Sequence, residues 1–182
     1  QFFENHGMLN ISDRPQWRVI KGGSKQYTLK LIEPITNKIR INSPVDKIIR
    51  KNKGIEVVYN KQQKELYDRV IIATHSDQAL KMIENPSNAE IEILSSIPYQ
   101  TNVAHLHWDC SVLPKQKNAW ASWNYFKPNK MKDETTVTYY MNMLQSLDMP
   151  KNICVSLNME EHINPKKIYK KIIYQHPVFT SE

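Results

Sequence analysis

With 182 residues, 40% of them hydrophobic, and four tryptophans, the chain can bury a real core and is not a disordered tail. The 25 Lys and Arg against 18 Asp and Glu give a net charge of +7, but the lysines are scattered among Ile, Asn and Glu, which reads as a solvated surface, and no nucleic-acid-binding motif is present. No run reaches the roughly 18 apolar residues of a membrane span, and Cys110 and Cys154 lack metal or redox spacing, so the expectations are buried free thiols, no bound metal and a cytoplasmic location.

The opening Gln1-Phe2-Phe3-Glu4-Asn5-His6-Gly7 has no initiator Met and reads as the interior of a longer chain. Trp17 to Ile20 suggests a short strand running into Gly22-Gly23-Ser24, after which Tyr27, Leu29, Leu31 and Ile32 can line a helix ending near Pro34. From Lys38 to Thr74 the period shortens. Ile39 and Ile41 alternate, as do Ile55, Val57 and Tyr59, and polar turns at Asn52 to Gly54 and Asn60 to Gln63 separate the runs, as in a β-meander. Its last member, Val70-Ile71-Ile72-Ala73, is continuously apolar, which predicts a strand covered on both faces.

Helical spacing returns at Asp77 to Ile83 and Glu90 to Ile97, broken by Asn85-Pro86-Ser87. Beyond Pro98 come candidate strands at Asn102 to Trp108, Ala119 to Phe126, Thr136 to Leu144 and Ile153 to Asn158, antiparallel in style, and Asn164-Pro165 can start a last helix carrying Ile168, Ile172 and Ile173. A subdomain boundary is expected near Tyr99.

Few residues suggest chemistry by themselves. His105 and His107 share one face of a predicted strand at a metal-ligand spacing, but no third ligand is nearby, which favours a structural role. His75 in His75-Ser76-Asp77 fits a helix entry as well as a functional polar group. Along the predicted strands Tyr139, Met141 and Met143 share one face and Trp123 and Tyr125 another; either set could wall a flat or oily ligand or belong to the core.

Three segments in order carry a resemblance: Gly22-Gly23-Ser24-Lys25-Gln26; Ile39 to Ile41 leading into Pro44-Val45-Asp46-Lys47-Ile48; and Asp68-Arg69-Val70-Ile71-Ile72-Ala73-Thr74. They resemble successive motifs of the flavin-containing amine oxidase superfamily. Asn5-His6-Gly7, Arg14-Pro15 with Trp17-Arg18, His75 to Leu80 and Ala119 to Tyr125 further resemble a bacterial subfamily of NAD/FAD-binding amine-oxidase-like proteins, often encoded beside cyclopropane fatty acid synthases.

The resemblance implies an FAD cofactor in the intact protein, with Gly22, Gly23 and Ser24 at the flavin. It places the Val45 backbone at the adenine, and Ala73 and Thr74 at the crevice edge. Gln26 would face the substrate, beside Lys25 where the family has glycine, and Trp120, Trp123, Tyr125 and Tyr139 would belong to the substrate half. Val103 stands where polyamine oxidases carry a lysine that orients water, which argues against amine oxidation by that arrangement. The chain's four glycines, Gly7, Gly22, Gly23 and Gly54, cannot compose the Gly-x-Gly-x-x-Gly fingerprint that cradles a dinucleotide.

The reading is therefore an α+β fragment, residues 1–98 from an FAD-binding domain and 99–182 from a substrate-binding domain, of an FAD-dependent oxidoreductase. It is expected to be inactive alone, with catalytic residues unassigned, a small organic or lipid-like substrate, no nucleic-acid partner, and exposed edges that dimerisation would hide. The rival is a self-standing lipid- or protein-binding domain without redox activity.

Overall fold

The chain follows a mixed α+β plan in a computed structural model that describes residues 2–5, 7, 9–13, 15–16, 18–126 and 136–178. His6, Arg14 and Trp17 of the quoted motifs lie outside the described residues. Two compact units are formed, one from Gln1–Thr36, which opens with the one-turn helix α1 (Phe2–Asn5), together with Val103–Ile172, the other from Asn37–Asn102 with Ile173–Glu182.

In the second of these, β1 (Val45–Lys51), β2 (Gly54–Tyr59) and β3 (Gln63–Tyr67) make an antiparallel meander with turns where the polar breaks fall. Gly54 is required at the first turn, because at φ +139° a Cβ would stand 2.5 Å from the Tyr67 carbonyl oxygen. At the second turn the consecutive left-handed residues Asn60 and Lys61 reverse the chain, and the Asp46 carboxylate accepts the Lys61 N–H at 2.6 Å. Ile48 and Val58 are buried, and α3 (Ser76–Met82) packs on β1 with Ala79 inward. The Glu84 N–H donates to the Ile48 carbonyl at 2.9 Å. Helix α4 (Asn88–Ser95) starts with a capping box, Ser87 and Glu90 each accepting the other's backbone N–H.

The other unit holds most of a sheet ordered β5-β6-β7-β4-β8, with β4 (Tyr99–His107), β5 (Trp123–Tyr125), β6 (Val137–Tyr140), β7 (Cys154–Leu157) and β8 (Ile168–Pro177). The pairs β5/β6, β6/β7 and β4/β7 are antiparallel. Its buried face is polar. His105, His107, Thr138 and Ser156 are at most 1% exposed, and Met159, which touches Thr138, forms a buried apolar cluster with Ile163 and Val112.

Such burial requires partners, and a chain of hydrogen bonds across three strands supplies most of them. The Asp109 N–H donates to His107 Nδ1 at 3.1 Å, so the proton of the neutral ring sits on Nε2 and donates to Ser156 Oγ at 2.8 Å. Ser156 then donates to Thr138 Oγ1 at 2.7 Å, and Thr138 donates to the Met159 sulfur at 3.4 Å. A backbone N–H, which can only donate, opens the run, and a thioether, which can only accept, closes it; this fixes every proton between. Burial lowers the His107 pKa, in keeping with a neutral ring. Thr138→Val should cost about 2 kcal/mol in urea unfolding, because it strips Ser156 of its acceptor and the Met159 sulfur of its donor.

Several expected elements differ. Residues 18–20 form no strand, and Ile39 to Ile41 follow a 3-10 helix (Glu33–Lys38) without pairing, Ile41 being 79% exposed. Val70 to Ala73 is not a strand: a strand covered on both faces needs neighbours, none pairs with it among the described residues, and Ile71 is 93% exposed. The second aromatic run shortens to β5 after a 3-10 turn (Lys117–Ala119), and the third ends at Tyr140, where α5 (Met141–Leu144) begins. The last helix is replaced by β8. Asn164-Pro165 launches only one 3-10 turn (Pro165–Lys167), and the β-branched and aromatic residues that follow pair along β4.

Candidate functional site

The glycine pair leads into a helix as expected, though among the described residues no strand precedes it. Helix α2 (Lys25–Ile32) begins just after it, and Gly22 (φ +83°) and Gly23 (φ +81°) both lie in the left-handed region, so the turn demands glycine twice. The Gly23 N–H donates to the Ile20 carbonyl at 2.8 Å, and the Gln26 N–H to the Gly23 carbonyl at 3.2 Å. The two positions differ in what surrounds them. A Cβ on Gly22 would meet the Gln26 side chain at 3.1 Å, whereas a Cβ on Gly23 would meet nothing within 4 Å. The backbone at Gly23 is thus bare and open to a flat group. Ser24 precedes the helix without a side-chain cap bond, and α2 buries none of its residues; Tyr27, Leu29 and Leu31, read as lining this helix, are 46%, 50% and 68% exposed.

In the other unit, Val45 opens β1 opposite Tyr59, next to a β-bulge between Val45 and Lys47. It lines a cavity of about 550 Å³ together with Asn37, Lys38, Arg40, Ser43, Tyr59, Glu65 and Tyr67, a volume in the range of small-molecule pockets. Glu65 organises that wall. Its carboxylate accepts from Arg40 at 2.7 Å, from the Tyr59 hydroxyl at 2.8 Å and from the Tyr67 hydroxyl, and Arg40 lies over the Tyr59 ring at 5.3 Å. The Arg40 hydrogen bond, then those of Tyr67 and Tyr59, hold Glu65 at about 2, while the bond to Glu65 pushes both tyrosines up. Sequence reasoning missed this cluster, although the alternation of Glu65 and Tyr67 along one hairpin arm was a signal.

Ala73 and Thr74 are exposed and lie between β3 and α3. His75 enters α3, but its side chain does not cap it: the ring stacks on Tyr99 at 4.6 Å, and the Tyr99 hydroxyl accepts the Ser76 N–H at 2.9 Å.

On the five-stranded sheet, Trp123 lies directly opposite Tyr139 with ring centroids 5.8 Å apart edge to face, and Tyr125 lies opposite Val137. These three aromatics share one sheet face, with Trp123 57% and Tyr125 71% exposed. Trp120 is held elsewhere, edge-on to Tyr140 at 5.1 Å with its indole N–H donated to the Pro114 carbonyl at 2.8 Å. Met141 and Met143 leave this face because α5 replaces the strand. His105 is 1% exposed, and neither ring nitrogen has a hydrogen-bond partner; burial first, then Lys171, lowers its pKa against the pull of Glu160, 3.8 Å away. Among the described residues no three His, Cys, Asp or Glu side chains are grouped to hold a metal ion, and no helix is long and apolar enough to cross a membrane.

A family model described as flavin containing amine oxidoreductase matches residues 2–165. Among solved structures, the chain is similar to a protein from Exiguobacterium sp. 255-15 assigned as a protoporphyrinogen oxidase, at 10% identity and a TM-score of 0.63, over 98% of this chain and 46% of that one. It is also similar to a triple mutant of putrescine oxidase made in a redesign of cofactor binding, at 13% identity and a TM-score of 0.54, over 75% of this chain and 29% of that one. At these identities the likeness is one of fold, and the chain spans less than half of either relative. No curated protein matches.

Proposed function

Because the chain belongs to the flavin-containing amine oxidoreductase family, we propose that it forms part of the FAD site and much of the substrate-facing sheet of an FAD-dependent oxidoreductase. One observation carries the reading. Two successive left-handed glycines present bare backbone, open at Gly23, immediately before a helix. A ring system can approach main chain closely only where no Cβ intrudes.

In this reading Gly22, Gly23 and Ser24 hold the flavin, the Val45 backbone meets the adenine, and Ala73 and Thr74 border the dinucleotide. Residues 1–98 then derive from the FAD-binding domain and 99–182 from the substrate domain. Bound flavin supplies hydride acceptance from an organic substrate; this chain's own groups bind and orient. Gln26 faces the substrate, and Trp123, Tyr125 and Tyr139 form an aromatic wall for a small organic or lipid-like molecule, with Trp120 bracing Tyr140 behind it. The protein is cytoplasmic. Exposed apolar residues such as Leu31, Ile41 and Ile71 are covered by further chain or by a second copy.

The test compares two purified proteins, the complete reading frame that carries this sequence and the 182-residue chain. The complete protein is expected to keep stoichiometric FAD through gel filtration and to bleach under anaerobic substrate, and the 182-residue chain to keep none. A complete protein that binds no flavin would overturn the reading in favour of a redox-silent binding domain. A short chain that turned stoichiometrically yellow would overturn its inactivity alone.

A further inference from the structure

The meander gathers polar side chains at one cavity, and their hydrogen bonds leave particular atoms unspent. Val57 stands opposite Glu65, so Tyr59, Glu65 and Tyr67 share one face of β2 and β3, and Val45, opposite Tyr59, lines the same cavity. Arg40 reaches this face from the segment before β1. Among the described residues both its hydrogen bonds, to the Tyr59 hydroxyl at 2.6 Å and to Glu65 Oε1 at 2.7 Å, leave from Nη1, so its Nη2 hydrogens remain for a ligand. Oε1 of Glu65 also accepts from Tyr59 at 2.8 Å, whereas Oε2 accepts, among the described residues, from Tyr67 only. A carboxylate oxygen offers two acceptor positions, and one on Oε2 is left for a hydroxyl. Lys38, the last residue of the 3-10 helix before Arg40, lines the cavity and enters none of these bonds. Two cations against one carboxylate leave a positive charge over.

We propose that this cavity is a nucleoside-phosphate site, in which Oε2 of Glu65 accepts a sugar hydroxyl, Arg40 and Lys38 hold the phosphate, and the base lies against the Tyr67 ring and the start of β1. Each group alone fits many ligands. Together they call for one molecule that carries a hydroxyl donor, an anion and a flat ring, and a cavity of about 550 Å³ has room for it. The wall is also preorganised: Arg40 lies over the Tyr59 ring at 5.3 Å, and Glu65, held at about 2 by Arg40 and then by Tyr67 and Tyr59, remains an acceptor at neutral pH. The adenylate half of FAD has this chemistry, an identification that rests on the reading of Val45 given above. A free nucleotide has it too, and the test separates the two sources.

The test measures AMP binding by equilibrium dialysis and FAD binding by flavin fluorescence, in the complete apoprotein and its variants. AMP is expected to bind with a Kd below about 1 mM and to compete with FAD. Glu65→Gln and Lys38→Met should each weaken both ligands about tenfold, whereas Gly23→Asn should weaken FAD and leave AMP unchanged. AMP that depends on Glu65 and Lys38 but does not displace FAD would assign the cavity to a free nucleotide. The same AMP result in a protein that binds no FAD would uphold the cavity and overturn the flavin reading. An apoprotein that binds no AMP, or cavity variants that bind it within about twofold of the parent, would overturn the proposal. Lys38→Met decides the matter should Glu65→Gln fail to fold, because Lys38 stands outside the hydrogen-bonded cluster.

Discussion

Replacing Asp109 by alanine is expected to remove about 4 kcal/mol of folding stability, the largest effect of any single substitution outside the apolar core. Asp109 is 1% exposed, and its carboxylate accepts from the Asn164 N–H at 2.9 Å, the Ser111 N–H at 3.1 Å and the Lys167 ammonium at 3.0 Å. Its own N–H starts the buried run through His107. Burial pushes the carboxyl up, but the Asn164, Lys167 and Ser111 donors outweigh it and hold the group well below the ordinary carboxylate range. The sign follows: this stability is complete above the unfolded carboxyl's value near pH 4 and is lost as pH falls toward the folded value. Urea unfolding against pH should show the native protein weakening below about pH 4. Asp109→Asn should weaken it at neutral pH and flatten the acid slope; a loss under about 1 kcal/mol for Asp109→Ala would show that the three donors find other partners.

The second large effect falls on cofactor binding. Gly23→Val in the complete protein should weaken FAD at least about a hundredfold, equivalent to about 2.7 kcal/mol. Two costs combine: a β-branched residue resists the left-handed conformation at φ +81°, and its side chain would fill the open space over the backbone. Gly23→Asn separates them. Asparagine tolerates this conformation, so stability should stay within about 1 kcal/mol of the parent while FAD affinity still falls. If Gly23→Asn bound FAD as tightly as the parent, the glycines would be a plain helix-leading turn.

What could be read in the residues follows from which forces act locally. The Asn52 to Gly54 and Asn60 to Gln63 turns, the helix after the glycine pair, and α3 and α4 with the Asn85-Pro86-Ser87 break are set by turn chemistry, capping and short-range period, and all appear. The Val70 to Ala73 segment and β8 went the other way. Composition made the first look like a central strand, but pairing is non-local and no described strand meets it. The Ile168, Ile172 and Ile173 spacing matches a helix as well as a strand, and only the exposed edge of β4 decided.

The same distinction holds for side chains. Trp123, Tyr125 and Tyr139 were recognisable as aromatics, but their common face depends on the Trp123 to Tyr139 register. For the Arg40, Tyr59, Glu65 and Tyr67 wall the only sequence signal was the alternation of Glu65 with Tyr67, because Arg40 and Tyr59 meet Glu65 only once the chain has folded. The polar inner face of the sheet is a further case. Thr138, Ser156 and His107 are polar, yet they become core because each strand supplies the next one's hydrogen-bond partner.

The central proposal is that the Gly22-Gly23 turn holds the flavin and that the Val45 backbone meets the adenine. The most direct measurement is photolabelling of the complete holoprotein with azido-FAD, bearing the azide on the isoalloxazine or on the adenine, followed by peptide mapping. The flavin azide is expected to mark the segment from Gly22 to Gln26, and the adenine azide the segment from Ser43 to Lys47, both competed by unlabelled FAD. Competable labelling confined to other segments would contradict the account.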